Sequence, residues 1–187
     1  MDKYIFWNRK GSSGNDSIRE RKRFNWWGDN NNNRIKETIM DMKKLQEELT
    51  FYEGCIDKIY LDHLGYPTFG IGHLILETDP EHGQEVDTLV SEERITQCFE
   101  KDIQNVINDL DRNMTWWKDL PEDLQRVMAN MCFNLGITRL LKFKKFLAAM
   151  EEHKWDKAAV EMLDSRWAIQ VGPRAIRLKD RVLKGEI

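Results

Sequence analysis

Cysteine is scarce in this chain. Cys55, Cys98 and Cys132 stand alone among 187 residues. No CxxC pair or His/Cys cluster accompanies them, which argues against a zinc site. An odd number of isolated thiols suits reduced side chains in a cytosol, and packing is their plainest role. Long apolar runs are missing too, so no stretch reaches the length of a membrane span and no stable membrane insertion is expected. At the N-terminus Ile5-Phe6-Trp7 gives way at once to Asn8-Arg9-Lys10. That is no signal-peptide h-region, so export by the usual secretory route is not expected. An excess of either charge is also lacking. The 29 Lys/Arg and 32 Asp/Glu leave a net charge of −3, which makes no global case for nucleic-acid binding. Hydrophobic residues amount to 41%. Over this length they can build one domain with a sizeable core, with or without a tail.

Residues 1–34 differ from the rest. They hold Gly-Ser-Ser-Gly at 11–14, the run Arg19-Glu20-Arg21-Lys22-Arg23, Trp7, Trp26 and Trp27, and four asparagines at 30–33. Eight Lys/Arg face four Asp/Glu there, which leaves 21 against 28 in the remainder. Polar low-complexity sequence with few aliphatics cannot form a core of its own. The bland expectation is a flexible or loosely docked extension. The functional one is an anchor, because basic residues interleaved with tryptophan suit an anionic surface or a partner protein.

From Ile35 the pattern becomes helical. Ile35, Ile39, Met42, Leu45, Leu49 and Tyr52 recur every three or four residues, which predicts an amphipathic helix from Ile35 into Glu53, with Gly54 placed to end it. Ile56, Ile59, Tyr60, Phe69 and Ile71 around turn glycines predict a sheet of two or three strands. Residues 76–90 are polar, with Asp79-Pro80 and His82-Gly83, and predict a loop. Ser91 caps a helix over 91–113. A central helix starts near Pro121 and is closed by Gly136. Further helices are expected at 138–151 and 155–164, and a last one from Gly172-Pro173 to Gly185. This predicts an α+β, mainly helical fold of two lobes. The catalytic domain would span 35–187, with a small β-hairpin or sheet lobe at about 51–100 and a larger helical lobe at about 101–187 plus the first helix. A cleft between two lobes is a usual substrate site.

The chemistry concentrates between Glu53 and His73, in E-G-C-I-D-K-I-Y-L-D-H-L-G-Y-P-T-F-G-I-G-H. Two carboxylates across a cleft, with a hydroxyl beside one, are what glycosidic hydrolysis requires. Glu53 sits at a helix C-terminus, where carbonyl dipoles disfavour negative charge; that suits a general acid, which must start protonated. Asp62 falls in a hairpin turn with Thr68 on the returning strand, so the two could share one water. Asp57, four residues after Glu53, is a rival acid that spacing alone does not exclude. His73 after Gly-Ile-Gly is more often structural than catalytic. Arg174 alone reads as a surface arginine in a first helical turn, and Phe133-Asn134-x-Gly136 as an ordinary helix end.

The pattern E-x8-D-x5-T-x-G-x-G-H, from Glu53 to His73, closely resembles the catalytic segment of the T4-type phage lysozymes, glycoside hydrolase family 24. Asn130-Met131-Cys132-Phe133-Asn134-Leu135-Gly136, Trp155-Asp156-x-Ala158-Ala159-Val160, Ser165-Arg166-Trp167 and Arg174-Ala175-x-Arg177 continue the resemblance over about 43–187. It implies a lysozyme-like fold and a muramidase cleaving the β-1,4 bond between N-acetylmuramic acid and N-acetylglucosamine, with no metal or organic cofactor. Glu53 becomes the general acid. Asp62 and Thr68 hold the attacking water, with inversion. Arg174 approaches Glu53 from the far lobe, and His73 pairs with Asp102. Leu74, Phe133, Asn134 and Gln170 border the substrate, and Asn134 bonds an N-acetyl group. The partner is peptidoglycan and the enzyme a monomer, held in the host bacterial cytoplasm until a holin releases it, or carried on a virion through residues 1–34. Two other readings stay open: a virion or scaffold component that uses the fold mainly to bind the wall, and, further off, a chitinase. The segment between His73 and Ser91 is shorter than in the best-known member, and the extension has no counterpart.

Overall fold

The first helix begins with a side-chain cap. The Asp41 carboxylate accepts the Lys44 N–H at 3.0 Å from extended backbone, and α1 runs over Met42–Glu53. In the computed structural model, residues 40–62 and 64–185 are described. The helix therefore starts at Met42 rather than at Ile35, because the capping carboxylate takes an N–H that a longer helix would have bonded internally. Ile35, Ile39 and the extension lie outside the described residues. Gly54, at φ +76°, ends α1, a conformation glycine adopts without steric penalty.

Three antiparallel strands follow: β1 (Ile56–Leu61), β2 (Pro67–Gly70) and β3 (His73–Leu74), in that order across the sheet. Tyr60 pairs with Thr68, Thr68 with Leu74, and Phe69 with His73. Segment 87–90 covers the outer edge of β1, with Ile59 N–H donating to the Thr88 carbonyl and Val90 N–H to the Asp57 carbonyl, both at 2.9 Å. The polar loop thus shields an edge that would otherwise stand open. Ile59, Phe69, Ile75, Val90, Ile95 and Cys98 form the core of this small lobe.

Ser91 caps α2 (Glu92–Asn113), which serves both lobes. Ile95 and Cys98 enter the small core, while Ile103, Val106, Ile107 and Leu110 enter the large one. α3 (Glu122–Leu135) is buried on every side from Leu124 onward, as expected of a helix enclosed by others. α4 (Ile137–Leu140) and α8 (Pro173–Leu183) pack against it, α6 (Trp155–Leu163) packs between α8 and α5 (Lys144–Glu151), and α7 (Arg166–Val171) lies against α8. The helix expected over 138–151 is two. Bonds from Lys142 N–H to the Arg139 carbonyl and from Phe143 N–H to the Leu140 carbonyl tighten the chain. The break lets Leu140 and Phe146 both be buried. α7, which the periodicity did not mark, is nucleated by Ser165, whose hydroxyl accepts the Ala168 N–H at 3.0 Å.

A charged network ties α1, α3 and α8 together. Arg126 bonds Glu48 at 2.9 Å and also contacts Glu122 and Asp123. Arg181 reaches Glu48 at 2.7 Å and Asp123 at 2.9 Å.

Candidate active site

Glu53 is the last residue of α1, so the helix axis delivers its carboxyl towards the helical lobe. Its Oε1 receives Arg174 Nη1 at 2.5 Å and Asn134 Nδ2 at 3.5 Å. Arg174 comes from the first turn of α8, where Pro173 sets the helix start. Its Nε donates to Asn130 Oδ1 at 2.9 Å and its Nη2 to the Asn130 carbonyl at 3.4 Å. Asn130 and Asn134 lie four residues apart on one face of α3, which places both beside Glu53. Trp167 on α7 donates its indole N–H to Asn134 Oδ1 at 2.7 Å. The amide oxygen is thereby engaged and the amide nitrogen turned to Glu53. The Arg174 side chain is only 6% exposed and that of Glu53 10%, so little water competes for these bonds.

Asp62 is held by its own turn. Its Oδ1 accepts the N–H of Leu64 at 2.8 Å and of Tyr66 at 2.9 Å. Gly65 N–H closes the turn on the Asp62 carbonyl at 3.0 Å, with Gly65 at φ +85°. Thr68, buried on β2, donates its hydroxyl to the Tyr66 carbonyl at 3.1 Å. One residue, Tyr66, therefore fixes both side chains, its N–H on Asp62 and its carbonyl on Thr68. With that proton engaged, the Thr68 oxygen is available as an acceptor. Asp57 is exposed on β1, and among the described residues no side-chain contact links it to Glu53.

His73 is buried between two aspartates. Its Nδ1 lies 2.7 Å from Asp102 Oδ2 and its Nε2 3.3 Å from Asp79 Oδ2. Burial acts against its charge, but the hydrogen bond to Asp102 and the nearby Cys98 push its pKa up to about 10. Asp79 is the partner that sequence reasoning missed. Burial alone would raise its pKa, yet the Leu76 N–H and the charges of His73 and Arg94 bring it below the ordinary 3.8. Arg94 continues the cluster, meeting Asp79 at 3.2 Å and Glu81 at 2.8 Å. In the sequence nothing separates Asp79 from the other acids of its polar loop. Among the described residues no group of three His, Cys, Asp or Glu is arranged to hold a metal ion.

The remaining predicted residues divide. Leu74 is half-buried on β3 opposite Thr68. Phe133 is only 4% exposed, with its ring 5.9 Å from Phe99; most of it belongs to the core. Gln170 is exposed on α7, and among the described residues it makes no side-chain hydrogen bond to Glu53, Arg174 or Asn134.

The family model for phage lysozyme matches residues 50–183. That span opens in the last turn of α1 and ends on the final residue of α8, enclosing every residue of the site. The chain belongs to the phage lysozyme family. As a lysozyme it is a glycoside hydrolase acting on peptidoglycan. It is similar to Probable T4-type lysozyme 2 of Dictyostelium discoideum, 31% identical over 156 residues, which are 73% of this chain and 92% of that protein. Probable T4-type lysozyme 1 of the same organism is 30% identical over 73% of this chain and 92% of its own length. The Pre-baseplate central spike protein Gp5 of Enterobacteria phage T4 is 29% identical over 76% of this chain, a match that spans 28% of the spike protein. Among the described residues of the lysozyme, no helix is long and apolar enough to cross a membrane.

Proposed function

We propose that this lysozyme is a muramidase that cleaves the β-1,4 bond between N-acetylmuramic acid and N-acetylglucosamine, with Glu53 as general acid and Asp62 with Thr68 positioning the water. Glu53 gives its proton to the glycosidic oxygen. The water attacks the anomeric carbon from the opposite face and loses a proton to Asp62, so the configuration inverts. The observation that carries this is the turn at Tyr66. An anchored Asp62 oxygen and a Thr68 hydroxyl fixed on the same residue suit a held water better than a mobile nucleophile. Arg174 stabilises the carboxylate that Glu53 becomes, and Asn134 orients it. Glu53→Gln keeps the shape but has no proton to donate. The variant should fold normally yet fail to clear a suspension of purified peptidoglycan. Turnover like that of the parent would remove the acid role.

The catalytic domain spans 35–187 in this proposal, and residues 1–34 form a separate extension for delivery or attachment. The enzyme waits in the host bacterial cytoplasm for release, or travels on a virion during wall penetration. The likeness to one part of a spike protein favours the virion route as a second reading. Co-purification of the full chain with virions, lost on removal of 1–34, would support it.

A further inference from the structure

Two aromatic side chains precede the acid on α1, and two arginines one turn apart on α8 lie over them. Arg177 Cζ is 5.0 Å from the centre of the Phe51 ring, and Arg174 Cζ is 4.7 Å from that of Tyr52. The two rings meet edge to face at 5.3 Å and 79°. The rungs differ in setting. Phe51 is 59% exposed, while Tyr52 is half-buried beneath a guanidinium that is itself buried. A cation over an aromatic face is held more strongly where water is excluded, so the inner rung is the stronger.

Arg174 has a problem that the ion pair cannot solve. A general acid is neutral before it donates, and a neutral Glu53 attracts the guanidinium far less than a carboxylate does. Asn130 bonds the guanidinium edge, but the flat face needs a partner that does not change with the proton. The Tyr52 ring is such a partner. We propose that Tyr52 is a positioning residue for the lysozyme reaction: its ring face keeps Arg174 against Glu53 in both protonation states of the acid. When the proton passes from Glu53 to the leaving oxygen, the cation already stands beside the new carboxylate and needs no reorganisation. This rests on the reading of Glu53 as the acid.

The test uses the full chain on purified peptidoglycan, with folding followed by circular dichroism. Tyr52→Leu should lower kcat about tenfold with KM little changed, since the interaction matters most as charge develops. Tyr52→Phe retains the face and should stay within about twofold of the parent. Phe51→Leu, the same kind of change one residue away, should leave activity unaltered. In an Arg174→Gln background, Tyr52→Leu should cause no further loss, because its partner is already gone. Trifluorophenylalanine at 52 preserves ring size but removes the negative face, and guards against a Leu variant that fails to fold. It should fall below Tyr52→Phe in kcat. Equal activity of the fluorinated and plain rings, or an undiminished effect of Tyr52→Leu without Arg174, would overturn the proposal. An active Glu53→Gln would instead remove the acid role on which it stands.

Discussion

At the residue scale, the roles divide between two acids in unlike settings. Asp62 is held by backbone N–H groups of its own turn, Glu53 by side chains from two helices, α3 and α8. Asp62→Ala should lower kcat by roughly 10²–10⁴-fold, the usual worth of a positioned base. Thr68→Ala should cost roughly 10–100-fold through misplacement of the water, and Asp57→Ala should be harmless. Rates on purified peptidoglycan decide, and the reverse ranking of Asp57 and Asp62 would mean that the wrong acid bears the role. His73 sets a pH dependence of stability. Its folded pKa of about 10 lies above the ordinary 6.5, so its contribution is complete below 6.5 and fades as pH rises towards 10. The folded pKa of Asp79 lies below its ordinary 3.8, so its contribution is complete above 3.8 and is lost as pH falls through the folded value. Both act fully between about 4 and 6.5. Thermal melts should show a fall in Tm from pH 6.5 to 10 that His73→Asn flattens; an equal fall in that variant would contradict the assignment.

At the element scale, what could be read in advance was local. Ser91, Gly54 and Gly136 mark helix ends through their own backbone chemistry, and the stripe Leu124, Val127, Met128, Met131 and Leu135 defines α3 by period alone. Asp41 was equally local, yet the apolar positions at 35 and 39 extended the stripe past it. What escaped depends on partners distant in sequence. Glu48, Arg126 and Arg181 meet only after α1, α3 and α8 have packed. Asp79 becomes a histidine partner only once its loop folds over β3. The break between α4 and α5 follows from where Leu140 and Phe146 are buried. Arg126→Met should destabilise by about 1–3 kcal/mol, since Glu122 loses its cation while Glu48 and Asp123 keep only Arg181. Urea unfolding tests it, and an unchanged midpoint would make the network ornamental. Gly70, at φ +62°, has no room for a side chain, because an added Cβ would stand 2.8 Å from Ile95 Cγ2. Gly70→Ala should therefore cost about 1–3 kcal/mol and loosen β2 against α2.

At the scale of the whole molecule, the motif from Glu53 to His73 was readable because its chemistry is compressed into one segment. The far half of the site was not readable from spacing. Asn130, Asn134, Trp167 and Arg174 stand more than seventy positions beyond Glu53, and on their own they resemble ordinary helix residues. The resemblance linked Arg174 alone to Glu53; Asn134 was expected at a substrate N-acetyl group, and the bonds of Asn130 and Trp167 within the site emerge only in the fold. Residues 1–34 carry none of these groups in the sequence, so a chain starting near Arg34 should hydrolyse purified peptidoglycan at a rate within about twofold of the full chain. Normal folding with lost activity would make residues 1–34 part of the cleft. The most direct test of the central claim is the chemistry of the new ends. Purified peptidoglycan digested by the full chain should yield fragments with N-acetylmuramic acid at the reducing end, identified by mass spectrometry after borohydride reduction. Reducing-end N-acetylglucosamine, or no new reducing ends, would contradict it.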